Sequence, residues 1–381
     1  MKRFTRRQLG AAALLAAPIE AAEPAYTGAL DGLEAKVPLA KFDPVDWTLR
    51  RYEEMPRQLR FRAENRKAAE AWQKKLRAKV VELLGGFPAT RTPLAPQTLE
   101  VKTFPGYRRE KFVIETRPGM MSLGYLLTPA TGQGPWPVVL CVPGHGRGVD
   151  DIVGIDAKGK PRTDKDGYQH DFAIQAVEAG LAAIAVEPMG FGCRRDARTK
   201  KRGLGNSACQ PTAGAALLFG ETMIAWRVYD LMRTIDWIET RPELDAKRVG
   251  CMGISGGGTC TTFAAAVEPR IRAAMVSGYL NSFRDSILSL AHCIDNYVPG
   301  ILQWAEMADV AGLIAPRPLF LESGDRDDIF PVAASRQCFV DLQMIYSTFG
   351  AKERVEHEVF AGEHSFHGVR GIPFLKKALT A

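Results

Sequence analysis

The chain has 381 residues, 46% hydrophobic and 24% charged, an ordinary globular composition with room for one large core. Its formal net charge is +7, but four basic residues and one acid fall in positions 1–22, leaving +4 on the remainder. That balance excludes the strongly basic surface of a nucleic-acid-binding protein.

In chain order, Thr5-Arg6-Arg7-Gln8-Leu9 is a twin-arginine pattern, followed by an apolar, alanine-rich run over 9–19. That run is shorter than the ~20 residues needed to span a bilayer. The pattern predicts a signal peptide over 1–22, cleaved between Ala21 and Ala25, and export of the folded protein to the periplasm or outside the cell, with no membrane anchor after cleavage. The plainer reading is a basic, frayed N-terminus. Residues 26–44 read as a polar tether. Over 47–84, Leu59, Phe61, Ala69, Trp72, Leu76, Val80 and Leu84 recur at helical spacing until Gly85-Gly86, so 23–97 is expected to be an N-terminal helical extension packed against the main body.

The main body is expected over 98–381. From Thr98 the apolar period becomes two, predicting strands over 99–102, 109–115 and 121–127 with turns at Pro105-Gly106 and Pro118-Gly119. Continuous apolar runs then alternate with helical patterns: strand 138–142, helix 171–179, strand 181–186, helix 221–240, strand 248–252, helix 259–267, and strands 271–276 and 319–322. This order predicts an α/β fold with a mostly parallel, doubly wound sheet. Cys141 and Cys251 fall in strand patterns, whereas Cys193 and Cys209 bracket a basic, glycine-bearing loop and are expected to pair in an oxidising compartment.

Between an apolar strand and a helix stands Gly253-Ile254-Ser255-Gly256-Gly257, a G-x-S-x-G pattern. Small residues two before and two after the serine let strand and helix approach closely, which pushes the hydroxyl outward on a strained turn. A glycine-rich loop with an incidental serine is the bland reading of the same five residues. A serine hydroxyl needs a base, and the base an orienting carboxylate. The strand 319–322 ends in Gly324-Asp325-Arg326-Asp327-Asp328, and a later strand end carries Gly362-Glu363-His364-Ser365-Phe366-His367. Asp327 is the first choice for the acid, with Asp325 and Asp328 behind it. His364 is the first choice for the base and His367 its rival.

Oxyanion donors are expected from the N–H of Gly256 and from the loop Pro143-Gly144-His145-Gly146, with His145 first and Gly146 next. No cofactor is implied. His364 and His367 have metal-like spacing but no further clustered ligands in the sequence, so no metal is expected. Residues 282–307 interrupt the alternation and should roof the carboxyl ends of the strands, where Asn296 and Tyr297 are candidate sugar contacts. Core packing of Tyr297 is the alternative.

The order Ser255, Asp327, His364, the Gly144-His145-Gly146 loop and the lead-in Leu123-Gly124-Tyr125-Leu126-Leu127-Thr128-Pro129 resemble the α/β-hydrolase superfamily. The similarity runs from about Thr98 to the C-terminus and is strongest to the branch of acetylxylan esterases, dienelactone hydrolase-like proteins and prolyl oligopeptidase catalytic domains. It implies a secreted serine ester hydrolase acting through an acyl-enzyme on a small-molecule or oligosaccharide ester. Two departures are visible: Pro143-Gly144 replaces the usual His-Gly of the oxyanion loop, and a serine stands where dienelactone hydrolases carry cysteine. A serine peptidase is the nearest rival, disfavoured because the region before Thr98 is too short for a propeller. A non-catalytic binding protein on the same scaffold is the other.

Overall fold

The computed structural model describes residues 28–162, 164–165 and 167–381; the expected signal peptide and its cleavage site lie outside the described residues. The chain divides into two compact units between Trp47 and Thr48. In the first, residues 28–47 hold short 3-10 turns at Glu34–Lys36 and Leu39–Lys41. Helix α1 (Pro44–Glu54) leads into the second unit, which contains α2 (Arg66–Leu83) and everything after it.

The helical spacing read over 47–84 is broken at Pro56, which has no N–H to give and disfavours helix in the residue before it. The next residues leave the helix in a turn at 58–59, and Gln58 N and Leu59 N donate to the carbonyls of Gln303 and Trp304 at 3.0 and 2.8 Å. Helix α2 begins where the Asn65 side chain accepts from Ala68 N, a capping bond. It buries Ala69, Trp72, Gln73, Leu76 and Val80, one stripe at i, i+3, i+4, i+7 and i+11, and complete burial of a side chain such as Leu76 contributes roughly 2 kcal/mol. Gln73 Nε2 donates to the carbonyls of Gly312 and Ala315. This helix shares the core of the main body, and no compact-unit boundary falls at residue 97.

Nine strands form one sheet: β1 (Gln97–Phe104), β2 (Tyr107–Arg117), β3 (Met120–Pro129), β4 (Trp136–Val142), β5 (Ala182–Val186), β6 (Leu244–Ile254), β7 (Ile271–Ser277), β8 (Leu319–Gly324) and β9 (Val355–Phe360). Their order is β1-β2-β3-β5-β4-β6-β7-β8-β9. The first three make an antiparallel meander joined antiparallel to β5, and from β5 to β9 every neighbour is parallel. Strand β4 shows why its residues read as a continuous apolar run. Val138, Leu140 and Val142 enter one buried cluster with α2 and α6 (Met223–Ile238), while Val139 and Cys141 enter another with α3 (Phe172–Glu178). A strand covered on both faces has no solvated side to alternate with.

Helix α4 (Ala197–Lys200) lies in the stretch between Cys193 and Cys209 read as a loop, and α5 (Cys209–Leu218) begins where that stretch ends. Helix α7 (Gly256–Val267) follows β6, and α8 (Met307–Gly312), α9 (Val332–Thr348) and α10 (Gly371–Thr380) complete the set. Among the described residues no helix is long and apolar enough to cross a membrane. Cys193 and Cys209 are both free thiols, Cys193 exposed and Cys209 buried, so the expected disulfide is not formed. Cys209 opens α5 and packs towards the segment carrying Cys293.

Candidate active site

In parallel sheets, ligands gather beyond the carboxyl ends of the strands, and the residues singled out above sit on the loops after β4, β6, β8 and β9. Ser255 occupies the turn from β6 into α7 with φ 57° and ψ −124°, a conformation that costs a non-glycine residue on the order of 1–3 kcal/mol. The flanking glycines are obligatory. A Cβ on Gly257 would collide with Val142 O, and one on Gly253 would stand 2.5 Å from Gly257 O. Ser255 N donates to Ser277 O at 3.0 Å, tying the turn to β7.

Asp327 and His364 meet across the ends of β8 and β9. His364 Nδ1 lies 2.7 Å from Asp327 Oδ2, and Oδ1 accepts the N–H groups of Ile329 and Phe330 at 2.9 Å each. The carboxylate is therefore fixed on both oxygens. His364 is packed between Tyr168 and Phe330, with ring centroids 5.7 and 5.6 Å away. Its Nε2 is buried without a hydrogen-bond partner among the described residues. Gly278 makes room for it: a Cβ there would be 2.8 Å from His364 Cε1.

The alternatives sit elsewhere. Asp325 Oδ1 accepts Gly362 N, Asp328 is exposed, and His367 stacks on Phe360 with Nδ1 3.4 Å from Glu358 Oε1. The loop carrying both histidines is anchored by buried Glu322, which accepts His367 N, Gly368 N and the Ser277 hydroxyl.

Ser255, His364 and His145 line one crevice of about 400 Å³, together with Tyr168, His292 and Cys293. Leu290, Ala291 and Ile329 supply its apolar wall, so residues 290–293 of the 282–307 segment border the crevice. Among the described residues, no Lys, Arg, Asp or Glu lines it. In the loop after β4, Gly144 N donates to Gln169 Oε1 at 2.9 Å, and the Tyr168 hydroxyl donates to His145 O at 2.7 Å. Burial raises the Tyr168 phenol well above its ordinary range, keeping that donor protonated. No acceptor among the described residues receives the N–H of His145 or of Gly256.

Neither Asn296 nor Tyr297 lines this crevice. Asn296 is 1% exposed; its Oδ1 accepts the Thr259 hydroxyl, and its Nδ2 donates to Asp295 Oδ1 at 2.9 Å and to His292 Nδ1 at 3.1 Å. Accepting at Nδ1 puts the proton of a neutral imidazole on Nε2, and burial holds His292 below its ordinary pKa. Asn296 thus orients a crevice residue from behind. The Tyr297 hydroxyl donates to Ile287 O, and the ring borders a separate pocket with Met55, Phe283 and Leu302. Tyr297→Ala is accordingly expected to change kcat/KM for p-nitrophenyl acetate and for an acetylated oligosaccharide by the same small factor. A loss beyond about tenfold, ~1.4 kcal/mol, confined to the oligosaccharide would put the ring in contact with substrate.

Tyr168, His292 and Cys293 are crevice residues that sequence reasoning missed. The only signal was the density of His, Cys and Asp over 292–295. Behind them lies a buried polar knot in which Arg227 Nη1 donates to Asp295 Oδ2 at 2.6 Å. Burial would raise the Asp295 carboxyl, but the Arg227 guanidinium and His145 hold it down at about 2.

Comparison with known proteins bears on the family and the fold. The chain is 25% identical over 294 residues to "Putative hydrolase YtaP" of Bacillus subtilis (strain 168), covering 73% of this chain and 89% of that one. In structure it resembles a "putative acetyl xylan esterase" from Bacteroides fragilis NCTC 9343, with a TM-score of 0.76 at 19% identity, over 89% of this chain and 95% of the other. A "Glucuronoyl Esterase from Solibacter usitatus" matches with a TM-score of 0.62 at 17% identity, over 86% of this chain and all of that one. At such identities the two structures speak for the fold, which is the α/β-hydrolase fold. The model of the Abhydrolase family matches residues 50–339, from the first helices of the main body through the serine turn and Asp327, and to that family the chain belongs.

Proposed function

We propose that the protein is a serine ester hydrolase that cleaves a carbohydrate ester. The observation that carries this reading is the 2.7 Å Asp327–His364 pair, whose free Nε2 belongs to the same crevice as a serine held on a left-handed turn. Ser255 Oγ attacks the ester carbonyl carbon as His364 Nε2 takes its proton, and Asp327 stabilises the resulting imidazolium. The N–H groups of Gly256 and His145 receive the oxyanion, a pair of donors each able to supply ~3 kcal/mol. His364 returns the proton to the leaving alcohol, and water, deprotonated by the same nitrogen, releases the acid from the acyl-enzyme.

The substrate class follows from the walls and the relatives. A crevice whose described lining holds no Lys, Arg, Asp or Glu suits a neutral acyl group better than one bearing a free carboxylate or ammonium. An acetylated oligosaccharide or a uronic acid ester meets that condition, in keeping with the printed names of the structural relatives. His292 Nε2, also buried without a partner, offers a donor to the sugar. The twin-arginine pattern at Arg6-Arg7 supports work outside the cytoplasm, where such esters are met.

Purified protein should be tested on p-nitrophenyl acyl esters, acetylated xylo-oligosaccharides, methyl esters of uronic acids and peptide amides, beside a Ser255→Ala control. Ester cleavage well above that control, with amides untouched, is expected. Esters no faster than with the control, or amides cleaved faster than esters, would refute the reading.

A further inference from the structure

Four side chains from three separate segments converge behind the crevice: His145 after β4, Cys209 at the start of α5, and Cys293 and Asp295 in the roof. Their ligand atoms all lie within 4.8 Å of one another. Cys209 Sγ is 3.6 Å from His145 Nε2 and 3.2 Å from Asp295 Oδ2, and the last two are 3.5 Å apart. A tetrahedral zinc ion, with Zn–S about 2.3 Å and Zn–N or Zn–O about 2.0–2.2 Å, requires neighbouring ligand atoms to stand about 3.3–3.8 Å apart. The Cys209–His145 and His145–Asp295 separations fall in that window, and the Cys209–Asp295 separation is about 0.3 Å shorter than a tetrahedral sulfur–oxygen pair spans, a gap that binding must widen.

We propose that His145, Cys209, Cys293 and Asp295 form a structural zinc site in the wall of the catalytic crevice. The donor set selects the metal. Two sulfurs and an imidazole disfavour Mg²⁺ and Ca²⁺, which take oxygen, and a closed set of four protein ligands of this kind suits Zn²⁺. Charge is also balanced: two thiolates and a carboxylate against Zn²⁺ and the buried Arg227 guanidinium. Arg227 donates to Asp295 Oδ2 at 2.6 Å and to Cys209 Sγ at 3.5 Å, the place of an outer-shell partner that orients a ligand. Binding releases the two thiol protons to solvent.

Such an ion ties together the loop after β4, the start of α5 and the roof, three segments that share no strand or helix. With Nε2 on zinc, the neutral His145 ring keeps its proton on Nδ1, the edge facing Gly256, where a Cβ would be 3.4 Å away. Only this last consequence rests on the esterase reading. The metal readouts below do not involve activity, so the two can fail separately.

The test uses the full chain without a histidine tag, stripped of metal under reducing conditions and titrated with Zn²⁺ and with Co²⁺ as a spectroscopic probe. One equivalent per chain is expected, with thiolate-to-cobalt charge-transfer absorption, intense tetrahedral ligand-field bands, and a thermal midpoint raised by Zn²⁺. Cys293→Ala should lose about half of the charge-transfer intensity, and Cys193→Ala none. A variant-free measurement accompanies these: Zn²⁺ should protect Cys209 and Cys293, but not Cys193, from alkylation mapped by mass. The proposal is overturned by substoichiometric binding, by weak octahedral cobalt bands, or by spectra unchanged in Cys293→Ala. Alkylation at Cys209 and Cys293 indifferent to Zn²⁺, indicating only a hydrogen-bonded thiol cluster, or a Cys209–Cys293 disulfide in reduced, metal-treated protein, would overturn it equally.

Discussion

Ser255→Ala and His364→Ala are each expected to lower kcat for a p-nitrophenyl ester by about four to six orders of magnitude, and the double variant to lose little more. In a nucleophile–base pair each member is useless without the other, so the losses overlap rather than add. The fold should survive both changes, because neither side chain supports the sheet. Ser255 carries its own check through its backbone. At φ 57°, ψ −124° alanine is as strained as serine, whereas glycine is at ease. Ser255→Gly should therefore be as inactive as Ser255→Ala yet melt at the same temperature or higher. Strain of ~1–3 kcal/mol is relieved against about 0.5–1 kcal/mol of added chain entropy in the unfolded state. Near-wild-type turnover in His364→Ala, with His367→Ala inactive, would move the base to His367. A Ser255→Gly variant that melts well below Ser255→Ala would show that the turn stores no strain.

What the sequence discloses about this molecule depends on how local the constraint is. The serine turn is legible because its geometry permits only glycine at 253 and 257, where a Cβ would strike the turn itself or the adjacent end of β4, so the requirement shows as a short fixed pattern. Asp327 and His364, the proposed acid and base, are legible as strand ends, because a buried parallel strand announces itself as an apolar run with a polar stop. Residue roles that depend on which way a side chain turns are not legible. Asn296 reads as an exposed amide in a loop, yet it is 1% exposed and serves His292. Pairing of Cys193 with Cys209 was inferred from closeness along the chain. Helix α5 and the roof instead bring Cys209 to Cys293, 84 positions away. Of the cluster of His145, Cys209, Cys293 and Asp295, only the closeness of the last two shows in the sequence, since its three segments meet only once the sheet is built. The break between α1 and α2, by contrast, was readable at Pro56.

Asp327→Asn is expected to cost about three to four orders of magnitude in kcat/KM, against losses within about tenfold for Asp325→Asn and Asp328→Asn. The reason is the proton inventory at Asp327. Its Oδ1 accepts two backbone N–H groups, from Ile329 and Phe330, at 2.9 Å, and its Oδ2 faces His364 Nδ1 at 2.7 Å. An asparagine must keep its oxygen towards the two N–H donors, since an amide NH₂ there would oppose both, so its NH₂ is left facing His364. Nδ1 then has to accept, the imidazole proton moves to Nε2, and the nitrogen that should take the serine proton no longer has a lone pair for it. The two backbone bonds survive, so folding should be nearly unaffected, and raising the pH should restore little activity because the defect is one of tautomer rather than titration. Among the described residues, the Asp325 side chain meets Gly362 N and its neighbour Arg326, Asp328 is exposed, and neither touches the histidine. Parallel kcat/KM profiles of the three variants across pH, with melting curves alongside, decide the matter. Similar losses in all three, or Asp327→Asn within tenfold of wild type, would mean that this carboxylate does not orient the base.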